Sequence, residues 1–170
     1  KYNKAKDNFD RSKIPGNGAN PVVKVPKFWR KDLPNGVKMI GTESNEIPTV
    51  TITIKIPGGH LLQGKDTSKI GLASMFASMM NEDTKNYSAE QMTVELQKLG
   101  SNVSVSSSVD GITFSVQCLK KNLAATLAMV EERMLNPKFT EAAFSRMQKQ
   151  RVEGFKQLKA DPAAVADLVF

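Results

Sequence analysis

Val50-Thr51-Ile52-Thr53-Ile54-Lys55-Ile56 alternates β-branched apolar residues with polar ones, and Pro57-Gly58-Gly59 closes the run. A period of two with Val and Ile on one side is the pattern of a half-buried strand. The next stretch changes period. Ile70, Leu72, Ala73, Met75, Phe76, Ala77, Met79 and Met80 are apolar almost all round, with Thr67 or Ser68 available as a cap. This predicts a helix over 69–81, buried between a sheet and other helices. A second helix opens at Ser88, where Gln91 completes a capping box. It carries Met92, Leu96 and Leu99 on one face and ends at Gly100.

Downstream, Val103 and Val105 begin a strand that runs to Val109, Asp110-Gly111 is a hairpin turn, and Ile112, Phe114, Val116 and Cys118 return. Leu123, Leu127, Val130 and Met134 mark an amphipathic helix stopped by Asn136-Pro137. Thr140 caps a long helix with Phe144, Met147, Phe155 and Leu158, and Asp161-Pro162 opens another. Upstream, Leu33-Pro34-Asn35-Gly36 is a turn and Val37 to Glu43 a short strand. The order ββααββαα predicts an α+β fold with an antiparallel or mixed sheet covered by helices. Residues 1–27, rich in Lys, Asn, Gly and Pro, read as an inter-domain linker, and 28–170 as the folded domain. The first residue is Lys, which points to a processed or excised piece, so export is not readable: a periplasmic, secreted or cytoplasmic setting each stays open.

The net charge of +7 is carried by one segment: residues 1–38 hold ten Lys/Arg against three Asp/Glu, and the remainder is balanced. A basic tail without a patterned basic face argues against nucleic acid as partner. No run of about 18 apolar residues exists, so no membrane span is expected. One His, His60, excludes a His-pair metal site and would have to be the base of any Ser-His-Asp triad, which nothing around it supports. Its plain reading is a solvent-facing loop residue. One Cys, Cys118, excludes a Cys-rich metal site and reads as a buried core thiol. Gly58-Gly59 lacks the spacing of a phosphate loop. Met75, Met79 and Met80 read as core packing rather than a soft-metal surface.

Phe28-Trp29-Arg30-Lys31 with Leu33, Asn35-Gly36 and Val37, then Gly41-Thr42-Glu43, Pro48, the strand at 50–56 and Gly58-Gly59 follow one another in a fixed order. Gly71-Leu72-Ala73, Thr84, Leu99-Gly100 and Leu135-Asn136-Pro137 continue it. Together they resemble a pitrilysin/insulinase-type zinc metallopeptidase domain, of the kind found in mitochondrial processing peptidase, over residues 28–170. Catalytic members carry an inverted His-x-x-Glu-His motif on a zinc helix, with two His ligands one turn apart and a Glu as general base. The resemblance carries those positions onto Ser74, Ala77 and Ser78, none of which can bind zinc or take a proton in that role. The third ligand of active members is a Glu on a later helix. Glu153 lies in about that region, and its plainer reading is a solvated helix-face charge.

The resemblance therefore implies the non-catalytic half of a zinc endopeptidase. No catalytic or metal-binding residue and no cofactor is expected in this chain, and zinc belongs to the catalytic half. The partner implied is that half, in the same chain or as a separate subunit, with peptide as substrate. The half is expected to form a chamber wall and peptide-binding surface. Phe9-Asp10-Arg11-Ser12-Lys13-Ile14-Pro15 resembles the connector between halves in bacterial members, and family halves continue beyond the position of Phe170. The alternative is a structural or assembly subunit of the same fold, as in respiratory-complex core proteins. A third reading is an unrelated α+β binding module.

Overall fold

The computed structural model describes residues 12–14, 16, 18–20, 22, 25–44 and 46–169. Most of the stretch read as a linker, including most of the connector-like residues 9–15, lies outside the described residues. The chain divides into two compact units, Lys1–Asn45 and Glu46–Phe170. The division falls after a strand hairpin rather than at the composition change near residue 27.

In the first unit, β1 (Phe28–Asp32) and β2 (Lys38–Thr42) pair antiparallel in the register Phe28↔Thr42 to Asp32↔Lys38. Leu33 donates to Val37 O and Gly36 donates back to Leu33 O. Gly36 takes φ 86, a conformation open to glycine at little cost. β1 is a strand beyond the order expected from sequence. Phe28-Trp29-Arg30-Lys31 has no period-two alternation, and pairing across the turn, not its own pattern, makes it extended.

In the second unit, β3 (Thr49–Pro57), β4 (Asn102–Ser107) and β5 (Gly111–Leu119) form an antiparallel sheet ordered β3-β5-β4. The register aligns Val50 with Cys118, Ile52 with Val116 and with Val103 beyond it, and Ile54 with Phe114 and Val105. All these apolar residues consequently share one face. The other presents Thr51, Thr53, Ser104, Ser106, Ser115 and Gln117, all exposed. A one-sided sheet of this kind produces the alternation seen in β3.

Five α-helices accompany the strands among the described residues, and the first three pack on the apolar face. They are α1 (Leu72–Met79), α2 (Ala89–Lys98), α3 (Leu123–Leu135), α4 (Glu141–Lys159) and α5 (Pro162–Val169). Ala73, Ala77 and Met80 pack with Val105, Ile112 and Phe114 in one cluster. Met92, Leu96 and Val130 pack with Val103 and Val116 in a second, and Ile54 and Met134 touch both. The capping box at the start of α2 is formed: Gln91 N donates to Ser88 Oγ at 3.2 Å and Ser88 N to Gln91 Oε1 at 2.9 Å. Thr140 caps α4 and Asp161 the start of α5.

Helix α1 departs from the expectation. The segment expected to enter it at 69 instead makes a 3₁₀ turn, Thr67–Lys69, capped by Asp66. Gly71 then takes φ 85 and resets the chain, leaving an eight-residue helix. Nor is α1 buried all round. Ala77 is 1% exposed but Phe76 is 42% exposed and Leu72 56%. Small and large apolar residues alternate around it, and only the small side lets the backbone approach the sheet.

Gly58-Gly59 has a steric cause. The chain leaving β3 crosses the β4–β5 turn, with His60 N donating to Ser108 O and Leu61 N to Val109 O. A Cβ on Gly59 would lie 2.2 Å from Ser108 O and 2.5 Å from Gly111 N.

Candidate functional site

Ser74 and Ser78 lie one turn apart on α1, both half-buried, with Ala77 between them turned into the apolar cluster. Ser78 Oγ donates to Ser74 O at 2.9 Å, spending its one proton on its own helix. Its lone pairs then face outward, and Arg151 Nη2 donates to the same oxygen at 2.9 Å. Arg151 is half-buried on α4. Two further contacts lie nearby: an ion pair between Arg146 of α4 and Glu82, just past α1, and the rings of Phe76 on α1 and Phe139, before α4, with centroids 5.8 Å apart.

Glu153 does not join them. It pairs with Lys156 at 2.6 Å, with both side chains well exposed. Residues 151 and 153 are two apart on a helix, so they point to different sides. Arg151 was not singled out from the sequence, although a signal was there. Phe144, Met147, Phe155 and Leu158 leave one gap in their three-and-four spacing, and Arg151 fills it. A basic residue in an apolar stripe asks for a partner.

The zinc that the resemblance implies in catalytic relatives can be tested against these side chains. Two hydroxyls, one of them committed to a backbone carbonyl, and a methyl group offer no imidazole, thiolate or carboxylate. A guanidinium, permanently charged, points at one of the hydroxyls. The residues present do not fit the metal. Among the described residues no three His, Cys, Asp or Glu side chains come together.

Two polar groups behind α1 fix its end. The Asn81 amide uses all four of its hydrogen-bonding positions: Nδ2 donates to Ala77 O and Val105 O, and Oδ1 accepts from Val105 N and Arg133 Nη1. Arg133, 4% exposed, donates Nη1 also to Val103 O at 2.5 Å, while among the described residues its Nε has no partner. The outer edge of β4 is thus occupied by side chains rather than left open. Glu132, buried beside it, accepts from Asn86 N, Asn86 Nδ2 and Asn136 Nδ2. Burial pushes its carboxyl up, but the bonds from Thr84, Asn86 and Asn136 together outweigh this and hold it below its ordinary value. The segment between α1 and α2 is therefore pinned to the end of α3.

His60 is exposed and Cys118 is buried at 1% exposure, and among the described residues neither bonds to Ser74 or Ser78. A shallow groove runs along α2, lined by Asn86, Tyr87, Glu90, Gln91, Val94 and Glu95, and includes none of Ser74, Ala77 and Ser78. No described helix is long and apolar enough to cross a membrane.

An antiparallel sheet with three helices packed on its apolar face makes the second unit an α+β domain. Residues 39–169 match the family described as Insulinase (Peptidase family M16), and the chain belongs to that family. It is 26% identical over 125 residues to the "Non-peptidase homolog YmxG" of Helicobacter pylori, covering 74% of this chain and 28% of that protein. Identity is also 26% over 125 residues with mitochondrial-processing peptidase subunit alpha-1 of Dictyostelium discoideum, covering 74% and 19%. Cytochrome b-c1 complex subunit 1 of Bos taurus shares 20% over 152 residues, covering 89% and 30%. Among solved structures, a peptidase M16 inactive domain from Pseudomonas fluorescens superposes with a TM-score of 0.75 at 20% identity, over 83% of this chain and 34% of that one. The likeness is one of fold. The chain spans less than a third of the length of each of these three relatives.

Proposed function

We propose that this chain is the non-catalytic half of a zinc metalloendopeptidase, lining the chamber and offering a peptide-binding surface to a catalytic half. Residues 28–170 would be the peptidase-type domain and 1–27 the connector to its partner. One observation carries the reading: the three positions that would hold and use zinc are Ser74, Ala77 and Ser78, with an arginine bonded to the last. A half built this way can contribute shape and surface but not the metal-activated water. The catalytic half supplies the zinc and the general base, and it resides in the same polypeptide or in a second subunit. Mitochondrial-processing peptidase appears among the relatives as named alpha and beta subunits, an arrangement compatible with paired halves.

The second reading, a structural or assembly subunit without a peptidase role, is favoured by a relative named as a non-peptidase homologue and another named as a cytochrome b-c1 subunit. One experiment separates the two. The full-length parent is expressed with and without this domain, and zinc content and hydrolysis of short peptides are measured. Retained zinc with sharply reduced hydrolysis is expected for a chamber half. Unchanged hydrolysis would rule that role out and leave the scaffold reading.

A further inference from the structure

The disagreement between these residues and a metal has a positive side. A metal held by two ligands on α1 and one on a later helix would cross-link the two helices. Here α1 and α4 are joined by Arg151 and the Ser78 hydroxyl, which relays to Ser74 O. Arg151 makes no ion pair among the described residues, whereas Arg146, five positions earlier, has Glu82. Beside the α1 serines its charge thus has no carboxylate partner among the described residues. We infer that the Arg151 guanidinium is a fixed cation in place of a metal: it ties α4 to α1 through Ser78 and makes this site repel divalent cations. This role deepens the non-catalytic reading, but it can be tested on the chain alone, without any partner half or peptidase activity.

Two arms test it. In the first, Ser74→His with Ser78→His places two imidazoles one turn apart, leaving the buried Ala77 untouched. Cobalt(II) is titrated by calorimetry into this variant, and into the same variant carrying Arg151→Ala or, as a control, the exposed Lys149→Ala. A unit charge a few ångströms from a divalent ion changes affinity by about tenfold even in water-like surroundings. Arg151→Ala is expected to tighten cobalt binding by at least about tenfold, and Lys149→Ala, paired with no site group, by less than about twofold. Equal affinities with and without Arg151 would overturn the repulsion. In the second arm, Arg151→Ala and Ser78→Ala are combined in a double-mutant cycle read by urea unfolding. A coupling of about threefold or more in the unfolding constant is expected, and additive effects would overturn the tie. If the two-histidine variant holds no cobalt in either background, the cycle alone decides: additivity then sinks the whole inference.

Discussion

Asn81 is the residue on which the second unit's architecture can be tested most sharply. Its amide bonds to Ala77 O at 2.9 Å, to Val105 O at 2.8 Å, to Val105 N at 3.0 Å and to Arg133 Nη1 at 3.3 Å. It acts as a one-residue strand laid along the open edge of β4, and it also closes the end of α1. Asn81→Ala removes three bonds to backbone groups in a half-buried setting. At about 1 kcal/mol net per bond the loss is ~3 kcal/mol, with water access and relaxation giving a range of roughly 2–4. The buried Arg133 loses one of its two acceptors among the described residues, which pushes the cost toward the upper end. Asn81→Asp keeps the acceptor for Val105 N and Arg133 but gives up both donations, so it should fall between wild type and alanine. Urea unfolding followed by circular dichroism reads all three, with Ser115→Ala on the exposed sheet face as control. The slope should be unchanged, since the surface exposed on unfolding is the same. A shift for Asn81→Ala below about 0.5 kcal/mol, the level of an ordinary surface substitution, would refute the edge-capping account.

Gly59→Ala should cost ~2–4 kcal/mol, because the new Cβ meets backbone at 2.2 and 2.5 Å and the β4–β5 turn must move; thermal denaturation checks it. Phe114→Asp, at a position 1% exposed, should prevent folding, whereas Phe76→Asp, at 42%, should cost only ~1–2 kcal/mol; similar denaturation midpoints would put α1 in the wrong orientation. Glu132 is held below its ordinary carboxyl value in the fold, so its contribution is complete above the unfolded value and is lost as pH falls through the folded one. The urea-midpoint gap between wild type and Glu132→Gln should therefore be widest near neutral pH and narrow on acidification, and a gap that widens in acid would contradict the sign. Finally, the dialysed chain should carry no stoichiometric zinc by elemental analysis, and one tightly held zinc per chain would sink its assignment as the degenerate half.

The sheet was legible because its chemistry is one-sided: Val50, Ile52 and Ile54 alternate with Thr and Lys only because the face they leave is exposed. The Ser88–Gln91 box and the Asp110-Gly111 turn are local devices whose partners lie within four residues, so sequence alone can carry them. What depends on a distant partner was hidden. Nothing in Phe28-Trp29-Arg30-Lys31 announces a strand until β2 is beside it. The exposure of α1 was misjudged because apolarity says what can be buried, not which side meets the sheet. Ser74, Ala77 and Ser78 were singled out from sequence, but what faces them was not. Arg151 lies 73 positions beyond Ser78, and only the packing of α4 on α1 joins them.

If Ser74, Ala77 and Ser78 stand where catalytic relatives hold zinc and its general base, as proposed above, the three small residues have one packing explanation. Ala77 sits at 1% exposure among Val105, Ile112, Phe114 and Met80. A glutamate at 77 would introduce a carboxylate beside that apolar cluster, a place where an ionised group is tolerated only when paired. A divalent ion bound beside that position would be the nearby charge that makes such a carboxylate bearable. Without the metal, glutamate at 77 becomes a liability and alanine packs directly against the sheet. Small residues at 74 and 78 then let α4 approach, and the arginine that reaches Ser78 supplies a positive charge of its own. It carries its charge on a covalent tether and needs no ligands. On this view Ser74, Ala77, Ser78 and Arg151 form one packing solution, and restoring the helix motif alone meets both a buried apolar neighbour at 77 and a standing cation at 151.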